Sequence, residues 1–422
     1  MRFAPVLCSL LAALAISARA QQSLSPAVPC PPVPRPLSGD SIPLPLPPLS
    51  PTPHPVRGLY VSRWAAIGVR LNDLIGIAER TEINTLVIDV KDDRGLVLYR
   101  STVPLAREIG ADTTRPLRHD RLRAALDTMR AHGIYPIARI VVVKDPLLAA
   151  ARPQWAIRSR RDSTRAWHDR QGLAWLDPHQ DGPWRYAAEL ACEAVALGFS
   201  EVQFDYVRFP DDARLERDAV FPLAHGRSRA EVIRDQLVLT RERLRPLRVP
   251  VTADVFGLTT TDTTDMGIGQ RWELLVTAVD VILPMMYPSH YYEGMYGMDN
   301  PNAHPGRTIR RGLADAKRRS EGIAGAAPIR PWYQDFTLGK PKYGAAQVRA
   351  QIDAGYAMGV RDWLLWNPRS AYSVAALKPK GEETTPPAAP AAPTPSPSGR
   401  NAPPPPPPSH TPHAPPPDAP AP

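Results

Sequence analysis

The sequence predicts an α/β protein, a (β/α)8 TIM barrel carrying a disordered proline-rich arm at each end. Eight short apolar runs alternate with amphipathic stretches through residues 56–377, which is the pattern of a parallel sheet covered by helices. Of the 52 prolines in 422 residues, 33 lie in 1–55 and 376–422, so the middle has an ordinary load and can bury a large core. An open doubly wound sheet is the alternative. It usually shows a glycine-rich phosphate turn after its first strand, and here that strand leads into Arg63-Trp64-Ala65.

The strand-like runs, rich in β-branched and aromatic residues, are Arg57–Ser62, Thr85–Val90, Tyr135–Val143, Val202–Phe209, Val249–Phe256, Val279–Tyr287, Ile329–Phe336 and Arg361–Trp366. Helical spacing lies between them. Leu71–Arg80 has apolar residues at 71, 74, 75 and 78, and further helices are expected over Arg121–His132, Trp184–Leu197, Ala230–Leu244 and Ala345–Met358, the last stopped by Gly359. The connections Lys91–His119 and Lys144–Gly182 are long, and the second holds Trp155, Trp167 and Trp175. Both follow strands, so both open on the face where barrel enzymes keep their sites.

Residues 1–20 read as a secretory signal: Arg2, an apolar run over Val6–Ile16, then Ala18-Arg19-Ala20 before Gln21. A membrane anchor is the competing reading, but the run is shorter than the ~20 residues that span a bilayer. The expected organisation is a signal (1–20), a proline-rich linker (21–55), the barrel (56–377) and a proline-rich tail (378–422) whose Pro403–Pro408 run favours polyproline II. The expected product is a secreted or periplasmic protein. Cys8 would leave with the signal. Cys30 and Cys192 would remain, and one disulfide is open to them in an oxidising compartment; the reading preferred here is a buried helix residue at 192 and an idle arm residue at 30. The net charge of +9 comes from 51 basic residues mixed with 42 acidic ones, not from a stripe, and no nucleic-acid motif accompanies it.

Chemistry is read from acids at strand ends. Asp89, Asp205, Asp254 and Asp335 lie in or at the end of the second, fourth, fifth and seventh runs, where an unpaired carboxylate in apolar surroundings is costly. A neighbouring Arg or Lys could hold any one of them for structural reasons. Four on one expected face suit acid–base or nucleophile–acid hydrolysis of a glycosidic bond. Asp205 and Asp254 are the candidate catalytic residues. Trp64, Tyr206, Tyr287, Trp332, Tyr333 and Trp366 could stack on sugar rings, although core packing is the commoner fate of such residues. Arg208, three positions after Asp205, is read as its charge partner. Lys91, Asp92 and Asn367 are candidate hydroxyl ligands, and His290 a candidate proton carrier or hydroxyl donor.

The blocks VRGLYVSRW, TLVIDVKDDRG, EVQFDYVRFP, TADVFGLTTT, TTDMGIGQRWE, DVILPMMYPSHY and DWLLWNP resemble the putative glycosyl hydrolase domain family, a bacterial group of barrels related to glycoside hydrolases. The resemblance runs from Val56 to Tyr372 and implies the barrel fold and a carbohydrate substrate. At the level of fold, Asp205, Asp254 and Asp335 stand where α-amylase-like barrels place a nucleophile, a general acid and a stabilising Asp. The sequence departs from that pattern twice: the acid there is Glu, and Gln203 holds the position of an Arg. Two functions follow as expectations. One is an exported hydrolase of an envelope or extracellular polysaccharide; the other is a barrel that binds glycan without cleaving it. No cofactor or metal is called for. The core histidines 119, 132, 168, 179, 225, 290 and 304 lack ligand spacing, which disfavours a metal-dependent hydrolase, and no nucleophile elbow or P-loop occurs.

Overall fold

The computed structural model describes residues 48–382. The signal, most of the linker with Cys30, and the tail beyond Glu382 lie outside the described residues.

Eight parallel strands close into a barrel: β1 (Arg57–Val61), β2 (Thr85–Lys91), β3 (Tyr135–Val141), β4 (Glu201–Asp205), β5 (Val251–Phe256), β6 (Val281–Met286), β7 (Trp332–Gln334) and β8 (Trp363–Trp366). They pair in chain order, and β8 returns to β1 with Arg57 opposite Trp363. Closure removes the open-sheet alternative. All eight predicted runs contain a strand, and most strands are shorter than their runs.

The fourth run loses its second half. β4 stops at Asp205 because Tyr206 adopts a left-handed backbone (φ 53°), sparsely allowed for a bulky side chain. The chain therefore turns off the sheet directly after the carboxylate, and Arg208 leaves the strand.

Helices α1 (Arg70–Arg80), α2 (His119–Ala131), α3 (Asp181–Leu197), α4 (Arg229–Leu244), α5 (Trp272–Leu275), α6 (Pro305–Ser320) and α7 (Ala345–Ala357) follow β1 to β7 in turn. Leu71, Leu74, Ile75 and Ala78 form the buried stripe of α1 as their spacing requires. Gly359 follows α7 with φ 73°, the conformation that ends a helix. Two helices were not anticipated. In α6, Ile309 and Leu313 are the only large apolar residues of its buried face, diluted by six Lys and Arg; α5 is a single turn. A short antiparallel pair, Arg158–Ser159 with Ala219–Val220, links the loops after β3 and β4. Among the described residues, no helix is long and apolar enough to cross a membrane.

Burial is divided into two layers. The larger lies between sheet and helices. The smaller fills the barrel with Val56, Tyr60, Val87, Tyr135, Ile137, Leu283, Tyr287, Trp332 and Leu364. Alternation along each strand sends one parity to each layer, so the polar members of the inward parity are placed inside the barrel.

At the base, the N-terminal ends of the strands, Glu201 and Arg330 form a buried ion pair at 2.6 Å. The chain also closes there. Glu82 donates its backbone N–H to the Lys378 carbonyl (2.8 Å), and Lys380 donates to the Arg80 carbonyl (3.0 Å). Ser50 N–H donates to Ser200 Oγ at 2.9 Å. Residues on both sides of the expected 56–377 span are thus bonded to the barrel.

Removing one partner of a buried pair strands the other charge. Arg330→Met is expected to lower stability by about 3–5 kcal/mol, and the double change Glu201→Leu/Arg330→Met to cost distinctly less. Denaturant melts of the three proteins check this, and equal losses in the single and double variants would refute it.

Candidate functional site

The inward parity places four strands' polar residues at one level near their C-terminal ends. On β2 and β3, Asp89 and Arg139 are direct neighbours in register, and Gln203 of β4 is the next neighbour of Arg139. The Arg139 guanidinium donates to Asp89 Oδ1 at 2.5 Å and to Asp205 Oδ2, and its Nε lies 3.6 Å from Asp254 Oδ2. Arg139 and Asp254 sit on strands separated by β4, so this last contact can only form through the barrel interior.

Each carboxylate has further donors. Tyr60 Oη donates to Asp89 Oδ2 at 2.5 Å. The Tyr206 N–H donates to Asp205 Oδ1, a bond that the left-handed turn at Tyr206 makes available. Trp332 Nε1 donates to Asp254 Oδ1 at 2.6 Å, and Gln203 Nε2 to both oxygens of Asp254 at 2.9 Å. The Trp332 bond spans β5 to β7 and is a second strut across the barrel.

One cation therefore serves three acids. Burial, then the charge of Asp205, pushes the Asp254 carboxyl well above the usual carboxylate range, against the opposing pull of Arg139, Trp332 and Gln203. Asp89 is raised by burial and partly restored by Arg139 and Tyr60. Burial works against the Arg139 charge, but Asp89, Asp205, Tyr60 and Asp254 together outweigh it and hold its pKa well above the ordinary arginine value. Tyr287 Oη is buried beside the same acids without a hydrogen-bond partner among the described residues. Burial, Asp254 and Asp205 raise its pKa well above the usual tyrosine value, so it stays a neutral donor.

Aromatic faces rim the cluster. Trp366 stacks on Tyr60 with centroids 3.8 Å apart, meets Trp332 edge-on at 5.6 Å, and carries the Arg139 guanidinium 5.0 Å above its ring. Trp64, just past β1, is 40% exposed.

Of the sequence-predicted residues, Asp89, Asp205, Asp254, Tyr287, Trp332 and Trp366 converge here. The others have different surroundings. The guanidinium on Asp205 belongs to Arg139, whereas Arg208 pairs with Asp211 at 3.3 Å and lies over the rings of Trp175, Tyr206 and Phe256, because β4 ended three residues earlier. Lys91 is fully buried, paired with Asp145 at 2.8 Å and donating to the Val141 carbonyl, so it braces the β2–β3 exit. Asp335 receives the N–H and Oγ of Ser373, both at 2.8 Å, and ties the end of β7 to the segment after β8. Asn367 donates to the Asp335 carbonyl and accepts from the Arg369 N–H, closing that same turn. His290 bonds Ser289 Oγ at 3.1 Å and packs on Tyr287 and Phe336; burial lowers its pKa to about 4, so it is a neutral imidazole at neutral pH. Asp92 accepts the N–H groups of Arg94 and Leu96 in the turn after β2. Tyr333 packs in the outer layer.

Arg139, Tyr60 and the bonding role of Gln203 were missed. The signal for Arg139 is present in the sequence: a guanidinium in the apolar run YPIARIVVV carries the same burial cost as the acids. Among the described residues, no group of three or more His, Cys, Asp or Glu side chains is arranged to hold a metal ion.

A hypothetical protein from Ruminiclostridium thermocellum ATCC 27405 is 38% identical, over 47% of this chain and 97% of that one, with a TM-score of 0.42. The PgaB (BpsB) glycoside hydrolase domain from Bordetella bronchiseptica is 14% identical over 75% of this chain and 95% of that domain, with a TM-score of 0.54, and so shares the fold. The α-L-fucosidase isoenzyme 2 from Paenibacillus thiaminolyticus covers 76% of this chain and 48% of its own at 14% identity, with a TM-score of 0.49. No curated protein matches. Residues 58–372, nearly the whole barrel from β1 to the turn after β8, match the family model described as "Putative glycosyl hydrolase domain", and the chain belongs to that family.

Proposed function

We propose that the chain is an exported glycoside hydrolase that cleaves glycosidic bonds of an envelope or extracellular polysaccharide, with Asp254 as general acid and Asp205 as nucleophile or base. One observation carries this reading. Two carboxyl groups share one guanidinium near the C-terminal ends of the strands, and burial together with the charge of Asp205 favours the protonated form of Asp254. A carboxyl group whose surroundings favour its protonated form, beside a second carboxyl group, is what a general-acid role requires.

In this reading Asp254 gives its proton to the glycosidic oxygen as the C–O bond breaks. Asp205, as carboxylate, either attacks the anomeric carbon or takes a proton from the water that does. The Gln203 and Trp332 donors accept the charge left on Asp254 after transfer. Tyr287 Oη, with no protein partner among the described residues, is available to a sugar hydroxyl or ring oxygen beside the two acids. Trp366 and Trp64 supply flat apolar faces at the rim. Arg139 is a positioning residue that fixes the separation and charge balance of the acids. Asp89 completes that balance through Tyr60.

Release of reducing ends from a panel of polysaccharides tests the reading. On a cleaved substrate, Asp205→Asn and Asp254→Asn should each lower kcat/KM by on the order of 10²–10⁴-fold, measured below the melting temperature of each variant, which for Asp205→Asn falls because Arg139 loses a buried partner. Full activity in either variant overturns that residue's role. Binding to a glycan array with no cleavage of any bound glycan identifies the protein as a binding barrel.

The pH profile separates Arg139 from a purely structural role. Its charge opposes the upward shift of Asp254, so removing that charge raises the Asp254 pKa further. Arg139→Met should therefore move the alkaline limb of kcat/KM, where the acid loses its proton, to higher pH. Arg139→Lys keeps the charge without the planar fork, and should lower kcat while leaving that limb near its wild-type position. A limb unmoved in a folded Arg139→Met protein would show that Asp254 is not the acid.

A further inference from the structure

A cavity of about 500 Å³ opens on the barrel flank, away from the acids, between α3 and the loops after β2 and β3. Pro104, Leu105, Trp155, Tyr186 and Cys192 contribute to its walls. Trp155 is seated against α3 at Gly182, where an added Cβ would come within 2.5 Å of the indole, so the helix has no side chain there that could displace the ring. Cys192 is not the unpaired helix residue expected from the sequence. Cys192 is buried in α3 as expected, but it is disulfide-bonded.

We propose that its partner is Cys30, and that the prolines flanking Cys30 occupy this cavity, strapping the N-terminal arm along α3. The sequence holds two other cysteines, Cys8 and Cys30, both before the first described residue. Cys8 lies within the apolar run of the expected signal, whereas Cys30 stands in the stretch Pro29-Cys30-Pro31-Pro32-Val33-Pro34. The arm enters the domain on the correct side, because Ser50 is bonded to Ser200, two residues past the Gly198 that ends α3. Cys192 is five residues before Leu197, about 8 Å along the helix at ~1.5 Å per residue. The 18 residues from Cys30 to Pro48 extend to ~56 Å at about 3.1 Å each in polyproline II, so reach is not limiting. The chemistry of the walls also suits this occupant. Proline rings pack on indole and proline faces, and a polyproline segment loses little conformational freedom when it docks. The strap is independent of the hydrolase reading.

The test uses the full chain with free thiols blocked before non-reducing digestion and mass spectrometry. A linked peptide pair containing Cys30 and Cys192 is expected. A Cys8–Cys192 link, an interchain link or a blocked thiol at Cys192 overturns the proposal. Cys30→Ser should lower the melting temperature by about 5–10 °C, as expected when a long loop is no longer closed, and reductant should do the same to wild type. A second variant, Pro31→Gly/Pro32→Gly/Pro34→Gly, keeps the disulfide and removes the rings. Hydrogen exchange over residues 182–193 should then rise several-fold, and unchanged exchange would show that the prolines do not fill the cavity.

Discussion

A single guanidinium inside a closed barrel sets the terms for everything around it. Burial works against the Arg139 charge in that interior, and the paired carboxyl groups of Asp89 and Asp205 offset it. Breaking such a set leaves an uncompensated buried charge, which costs several kcal/mol. The third acid, Asp254, receives only the more distant Nε contact at 3.6 Å. It is the carboxyl whose proton burial and Asp205 retain. The asymmetry between Asp205 and Asp254 follows from the reach of one planar fork. Two of its nitrogens are directed to Asp89 and Asp205, and the third faces Asp254 at longer range.

That arrangement depends on sheet geometry. Neighbouring parallel strands bring Asp89, Arg139 and Gln203 to one level by register alone. Contacts between non-adjacent strands, from Arg139 to Asp254 and from Trp332 to Asp254, then require the sheet to be closed and the inward parity to be occupied by polar residues at this level. The same parity also supplies Ile137, Val87 and Leu283, which pack as apolar surface inside the barrel. The base carries its own buried pair, Glu201 with Arg330. Of these two polar sets, only the carboxylate cluster is adjacent to the loops that follow the strands.

The barrel itself was legible because strand alternation and helix spacing are local signals, and eight strand-like runs with helical spacing between them leave few topologies. The acids were legible by the same token. Arg139 was not read, since attention to carboxylates left out the cation in a neighbouring run, and Arg208 was chosen for its closeness in sequence. Closeness in sequence failed there for a definite reason. Tyr206 takes a left-handed conformation, and a run of β-forming residues does not reveal one such turn. Lys91 and Asp335 were correctly placed at strand ends, but their partners, Asp145 and Ser373, lie 54 and 38 positions away and could not be inferred without the fold. Helix α6 escaped notice because six basic residues mask a stripe with two large apolar members.

The flank and the floor share one helix. Glu193, the residue after Cys192, accepts hydrogen bonds from Ser101 Oγ and from both N–H and Oγ1 of Thr102, and so clamps the loop that follows β2. That loop begins where β2 ends, just past Asp89, and its first residues are held in turn by Lys91 to Asp145 and by the Asp92 turn. α3 therefore carries on adjacent residues a covalent anchor and the clamp for the loop beside the acids. A disulfide at Cys192 adds no contact to Asp89 or Arg139, so it cannot tune them directly. The charge balance of the acids is set by residues inside the barrel.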